Sequence, residues 1–281
     1  MSSSFVKKLS ECSNFSSWDK YGGDELPKVS IVICTSNAAQ LIRITLDSVL
    51  SQHYPDFEVI VVDCCSEDRT LEIVKSYNSD KISVFSVTNC QRYEMVNKGL
   101  MQAEGKYINF LFPGDYYLYF ETLKFMVSLA LDHQLPQLVY CGTLIRDATK
   151  EVKILYRELT LDLLKRGQQP TSLESCWFRL DTLLELGKFN PNYTMRGGYE
   201  VLCRFMLQKN FRFASSSRVL TDYDLRLVSR RMVIMHFWET FKIINKYFGV
   251  LTVARWLFYQ KDVSRFVRLW MRSLKIAFAG R

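Results

Sequence analysis

An α/β domain built on a mostly parallel sheet is what this 281-residue sequence predicts, from three observations. After Pro27, apolar runs of five to seven residues alternate with amphipathic runs of ten to fifteen, the spacing of strand and helix in a βαβ series. The apolar runs are nearly continuous rather than strictly alternating, which suits strands buried on both faces. The composition, 48% hydrophobic and 23% charged with six prolines and twelve glycines, excludes collagen-like, low-complexity and disordered chains.

The elements follow in order. Residues 1–27 are polar and Ser-rich, lack the apolar core of a signal peptide, and read as an N-terminal extension. VSIVIC (29–34), FEVIVV (57–62), ISVFSV (82–87) and YINFLF (107–112) read as strands, with helices over 39–52, 68–78 and 92–104 between them. A fourth helix is predicted over 119–132 and a further strand begins at QLVYCG; the region to about 195 is mixed, and no internal repeat is present.

Eight cysteines without a CxxC pair, and three histidines, speak against a zinc site or a disulfide framework and for a reducing, cytoplasmic setting. The greasiest stretch, VLTVARWLFY (250–259), is interrupted by Arg255, so no membrane span is predicted. The net charge of +8 is unevenly spread. Residues 226–281 hold twelve Lys/Arg against Glu239 and Asp262, or +10, leaving −2 for the remainder. That division implies two modules with different jobs, the second a basic helical tail over 226–281.

In open α/β sheets ligands gather beyond the carboxyl ends of the strands. The residues there are Thr35, Asp63, Thr88 with Asn89, and the turn Pro113-Gly114-Asp115, so that Asp63 and Asp115 share one rim. Neither a GxGxxG fingerprint nor a P-loop accounts for that rim.

The stretch VSIVICTSNAAQLIRITLDSVLSQHYPDFEVIVVDCCSEDRTLEIVKSY, continued by YEMVNKGLMQAEGKYINFLFPGD, resembles family 2 glycosyltransferases of GT-A fold, in the variant reading YDAMNKGI…INFLNPGD. The resemblance covers about 28–225 and implies an inverting enzyme. Such an enzyme moves a sugar from a nucleotide-diphosphate donor, often UDP-linked, to a hydroxyl of a glycan or glycolipid acceptor.

Carried over residue by residue, the resemblance places Thr35 and Asp63 at the nucleoside, with Asp63 otherwise a turn residue ahead of Ser66. It places Arg92, Asn97 and Lys98 along the nucleotide pocket, where a cation could screen the diphosphate; a solvated helix face is the other reading. Asp115 falls in the acidic segment that binds Mg2+ or Mn2+ in relatives, and otherwise caps the helix near 119. The first acidic position of that segment is Phe112. The family's acceptor base falls on Gly198, which leaves Glu200 as the nearest carboxylate for proton removal, or else as an i,i+4 partner of Arg204. Arg196 is a further candidate for the diphosphate. Cys64 and Cys65 replace the second Asp and the Gly of the family pattern and read as small buried packing residues. The losses at 112 and 198 favour a second possibility, a degenerate relative that binds nucleotide or glycan or scaffolds a membrane assembly.

Within 261–278, Lys261, Arg265, Arg268, Arg272 and Lys275 fall on one narrow helical stripe opposite Val263, Phe266, Val267, Trp270, Leu274 and Ala277. Such a helix suits the surface of an anionic membrane, as in a peripheral protein. Packing on the domain or on a partner subunit is the alternative, and the narrow stripe and missing RNA-binding motif disfavour nucleic acid.

Overall fold

The computed structural model describes residues 26–88, 91–146, 153–225 and 229–259. The predicted stripe at 261–278 and Asn89 therefore lie outside the described residues.

Strands β1 (Val29–Thr35), β2 (Phe57–Cys64), β3 (Ile82–Val87) and β4 (Tyr107–Leu111) form the parallel half of one sheet. It continues through β5 (Tyr116–Tyr117), β6 (Leu138–Arg146), β7 (Lys153–Leu155), β8 (Cys176–Arg179) and β9 (Phe213–Asp224). The strand order is β3-β2-β1-β4-β8-β6-β9-β5, with β7 on β6. β8 runs antiparallel to both β4 and β6, so the sheet is mixed and its direction changes beyond β4.

Side chains of β1, β2 and β4 alternate between two cores. Val32, Ile60 and Phe110 enter one, and Ile31, Val59 and Leu111 the other. Because both faces are covered, neither parity of the strand is free to be polar, which is why these runs look continuous in sequence. β3 departs from that expectation: it is the edge strand, and its Val84 is exposed.

Helices α1 (Ile42–Leu50), α2 (Thr70–Ser76), α3 (Arg92–Leu100) and α4 (Thr122–Asp132) occupy the predicted intervals, each a few residues shorter. Helix α3 lies close on the sheet because Gly99 has no side chain; a Cβ there would stand 2.3 Å from Val32 Cγ1. Asn97 anchors the same helix, donating to the Phe189 carbonyl (2.8 Å) and accepting from the Phe189 N–H (2.9 Å). These two contacts hold the first residue of the helix, Arg92, at the strand ends.

The later helices are α5 (Leu161–Lys165), α6 (Leu180–Glu185), α7 (Gly197–Leu207), α8 (Arg230–Phe248) and α9 (Val250–Tyr259). In the described part of the tail, α8 and α9 bury Ile243, Ile244, Val253 and Trp256 against the domain. Glu239 of α8 accepts the backbone N–H groups of Thr194, Met195 and Arg196 at 2.7–2.9 Å, which fixes the loop that opens α7. Val250, Leu251 and Phe258 remain exposed. Among the described residues no helix is long and apolar enough to cross a membrane.

The vicinal cysteines are not a buried packing pair. Cys64 is buried and disulfide-bonded, whereas Cys65 is exposed with φ 46° and donates its thiol to the Val87 carbonyl (3.3 Å).

Candidate active site

Three loops at the carboxyl ends of β1, β2 and β4 build the site. The first two are tied together. The side-chain Oδ1 of Asn37 accepts from Glu67 N (2.9 Å), Asn37 N donates to Ser66 Oγ (2.9 Å), and Ala38 N donates to Thr70 Oγ1 (2.7 Å). Thr35 and Asp63 end up side by side as register partners. Asp63 is buried, and its two oxygens accept from Ser66 N (3.0 Å) and Ser66 Oγ (2.5 Å), so the turn role foreseen for it is real. Thr35 is also buried, and its hydroxyl has no hydrogen-bond partner among the described residues.

The third loop is the turn after β4. Asp115 N donates to the Phe112 carbonyl (2.9 Å) and Gly114 takes φ 101°, a type II turn that requires glycine at its third position. Thr45 of α1 pins it from below, accepting from Gly114 N (2.9 Å) and donating to the Asp115 carbonyl (2.8 Å). Arg146 pins it from β6, donating to the Gly114 carbonyl (3.0 Å) while its Nε binds Asp222. The Asp115 carboxylate accepts from Phe112 N (3.2 Å) and does not cap the helix near 119, whose N-cap is Glu121.

Around this turn lies a buried charged cluster. The Arg92 guanidinium sits 3.5 Å above the centre of the Phe112 ring and ion-pairs with Glu174 (Nη2 to Oε1, 3.5 Å). Glu174 belongs to a 3-10 turn, Leu173–Ser175, held under β4 by Asn109, whose amide donates to the carbonyls of Glu174 (3.0 Å) and Cys176 (2.8 Å). Burial raises the Asp115 carboxyl well above the ordinary carboxylate range, and the nearby Glu174 charge raises it further against the opposing pull of Arg92. Burial raises Glu174 as well, again opposed by Arg92. Tyr223 of β9 faces the same three charges, and its phenol is raised mainly by burial.

The structure removes several of the sequence-based candidates from this site. Glu200 is buried on α7, where it accepts from Arg204 Nη2 (2.7 Å) and the Tyr247 hydroxyl, with Lys246 at 3.9 Å; it is the helix partner of Arg204 and not a free base. Arg196 is buried over the ring of Tyr199 and donates through its two terminal nitrogens to Gln169 (3.0 Å) and the Gly167 carbonyl (2.7 Å), while its Nε has no hydrogen-bond partner among the described residues. Asn97 is the Phe189 clamp described above, and Lys98 is a solvent-exposed residue of α3. Of the candidates, Thr35, Asp63, Arg92 and Asp115 remain at the strand ends.

Glu174 was not among the candidates, because it lies in the mixed region of the sequence and nothing local marks LESC as functional. Its one signal is physical. A glutamate flanked by Leu173, Cys176, Trp177 and Phe178 is bound for the interior, where a carboxylate needs a partner.

The divalent metal implied by the family resemblance can be tested against these residues. Phe112 stands where the first acid would, its ring covered by a guanidinium, and the one carboxylate of the segment faces that same cation. Among the described residues no three His, Cys, Asp or Glu side chains converge. A protein-held divalent cation would compete with Arg92 for the same carboxylates, so the donor set does not fit a metal site, and Asp115 is not assigned as a metal ligand.

The model of the family described as Glycosyl transferase family 2 matches residues 30–210. The chain belongs to that family. A glycosyltransferase of Rickettsia typhi is 28% identical over 214 residues, covering 73% of this chain and 64% of that protein. The poly(ribitol-phosphate) β-N-acetylglucosaminyltransferase TarS of Staphylococcus aureus is 35% identical over 111 residues, 38% of this chain but 19% of TarS. The chain therefore spans less than two thirds of the length of these relatives. Among solved structures, TarS residues 1–349 with UDP superimposes with a TM-score of 0.63 at 23% identity, over 78% of this chain and 65% of that one. A mannosyltransferase of Pyrobaculum calidifontis with GDP-Man and Mn2+ gives 0.57 at 17% identity, over 95% and 88%. At these identities the structural likeness establishes the GT-A-like fold.

Proposed function

We propose that this chain transfers a sugar from a nucleoside-diphosphate donor, a UDP-sugar in the first instance, to a hydroxyl of a glycan or glycolipid. The observation that carries the reading is the cluster of Arg92, Asp115 and Glu174 beyond the end of β4, beside the adjoining pair Thr35 and Asp63. The nucleoside would lie over Thr35 and Asp63, and the diphosphate would reach toward Arg92. Structures of relatives bound to UDP, UDP-GlcNAc or GDP-Man support a donor of this class.

Inverting transfer needs a carboxylate to remove the acceptor proton as its oxygen attacks the anomeric carbon, a contribution of about 100- to 10,000-fold. With Glu200 committed to Arg204, we assign that proton to Glu174. Gly198, where the family resemblance puts the base, lies against Leu173; a Cβ built on Gly198 would stand 3.5 Å from Leu173 atoms, one residue from Glu174. The test is release of nucleoside diphosphate from a panel of UDP- and GDP-sugars. Glu174→Gln should lower release per folded molecule at least about 100-fold, with melting recorded beside it because the exchange also removes the ion-pair partner of Arg92. A variant as active as the parent would remove the assignment. If the parent consumes no donor yet binds nucleotide, the second reading, a non-catalytic nucleotide-binding relative, takes over; Gly198 is the observation that favours it.

The acceptor would be presented at an anionic membrane, as on a cytoplasmic leaflet. Exposed Val250, Leu251 and Phe258 on the last described helix, in a segment of twelve cations and two acids, support that reading. Flotation with phosphatidylserine vesicles should be lost on deleting 261–281; flotation of the truncated protein would contradict it.

A further inference from the structure

The phenylalanine that interrupts the acidic segment is a platform. Phe112 is partly buried against the core, and the Arg92 guanidinium carbon lies over its ring, 3.5 Å from the centre. A guanidinium stacked this way keeps its charge and orients its N–H groups in the plane above the ring. Arg92 is also the first residue of the nine-residue helix α3, so the positive end of that helix lies at the same place. One group there is unsatisfied: Arg92 Nε is buried with no hydrogen-bond partner among the described residues. The guanidinium is not sealed off, since a quarter of the side chain (25%) remains exposed while Glu174 beneath it is 2% exposed.

The arrangement puts a fixed positive charge facing Asp115 and Glu174, where the family resemblance would put a divalent cation. Arg92 cannot leave, because Gly99 on Val32 and Asn97 on Phe189 hold its helix against the sheet. The loss of an acid at 112 and the presence of a cation at 92 are thus one change seen from two sides. An acid at 112 would bind Arg92 and withdraw it from the ligand, whereas an aromatic ring supports it without neutralising it.

We infer that the Arg92 guanidinium, stacked on Phe112, replaces the metal ion of the donor site, so that the diphosphate is bound and its departure assisted without a divalent cation. The inference rests on the donor-site reading above. In the transfer step, the bond between the anomeric carbon and the diphosphate oxygen breaks and the diphosphate leaves with the electron pair. The acceptor oxygen bonds to that carbon from the opposite face, and its proton passes to Glu174. The charge that grows on the departing diphosphate is met by the N–H donors of Arg92 and the α3 N-terminus.

The test is titration of the intact protein with UDP and with GDP, in EDTA and again with Mn2+. Binding in EDTA that changes less than about threefold on adding Mn2+ is the expected result, with Arg92→Ala weakening it at least about tenfold and Arg92→Lys keeping part of it. Phe112→Asp should weaken binding in EDTA and make it respond to Mn2+. Thermal melting of each variant separates loss of the contact from loss of the fold. Binding that requires Mn2+, or is indifferent to Arg92→Ala in a folded protein, overturns the inference and leaves the donor site standing. No nucleotide binding under either condition overturns the donor site and the inference together.

Discussion

Thr35 and Asp63 are register partners at the ends of β1 and β2, and they differ in one respect: both Asp63 oxygens accept from Ser66, while the buried Thr35 hydroxyl has no partner among the described residues. A buried hydroxyl without a partner is costly in the free protein and becomes useful once a ligand pairs with it. Thr35→Val, which keeps the shape and removes the hydroxyl, should leave the melting temperature unchanged or raise it slightly. The same variant should weaken UDP binding several-fold, to at most about tenfold, or about 1.4 kcal/mol. Titration and melting of one preparation give both numbers, and a destabilised variant with intact affinity would show that the hydroxyl serves the fold.

Glu200 is a structural residue on this account. Removing one partner of a buried ion pair strands the other, at about 3–5 kcal/mol. Because Arg204 also donates to backbone carbonyls of Leu186 and Lys188, Glu200→Gln should sit near or below the low end of that range, measured by urea denaturation. Donor turnover per folded molecule should stay within about threefold of the parent, where loss of a general base would cost about 100-fold or more.

The two glycines that open α7 should behave oppositely. A Cβ on Gly197 would fall 2.5 Å from the Tyr93 ring, which is itself buried and stacked on Phe189, so Gly197→Ala should destabilise by about 1–3 kcal/mol. A Cβ on Gly198 meets Leu173 at ordinary contact distance, so Gly198→Ala should fold and gain from helix propensity by up to about 1 kcal/mol. Melting curves of the pair test the packing, and Gly198→Asp asks whether turnover rises when a carboxylate returns to the family position.

Asp115 and Glu174 have carboxyls raised by burial, with Arg92 and Tyr223 the other groups facing them. A carboxyl whose folded pKa exceeds its unfolded value contributes stability that is present below the unfolded pKa and lost as pH rises through the folded one. The stability these groups contribute should therefore be present below the ordinary carboxylate range, about pH 4, and be lost as pH rises above it, and Asp115→Asn should flatten that slope. In the same direction, protonated carboxylates leave Arg92 unopposed, so UDP binding should tighten as pH falls while transfer declines. Titrations of parent and Asp115→Asn in parallel cancel the titration of the nucleotide itself.

Much of the fold was legible in the sequence because β1, β2 and β4 are covered on both faces, which forces unbroken apolar runs. β9 was not, since FASSSRVLTDYD spans twelve residues with a shift in register against β6, and carries serines that pack only in part and an aspartate, Asp222, that binds Arg146. At the site, strand ends alone located Thr35, Asp63 and Asp115. Helix position misled for Asn97, Arg196 and Glu200: each is a polar residue consumed by a neighbour far away in sequence or one turn along, and no local pattern reveals such a partner. Glu174 escaped because its role comes from the 3-10 turn that β8 brings beneath β4, a contact between segments 65 residues apart.

A crystal structure of the protein grown with UDP tests the central claim most directly. The account predicts the uracil and ribose over Thr35 and Asp63 and the diphosphate against the Arg92 guanidinium at the N-terminus of α3. A nucleotide bound elsewhere, or a diphosphate that leaves Arg92 paired with Glu174 and untouched, would contradict it.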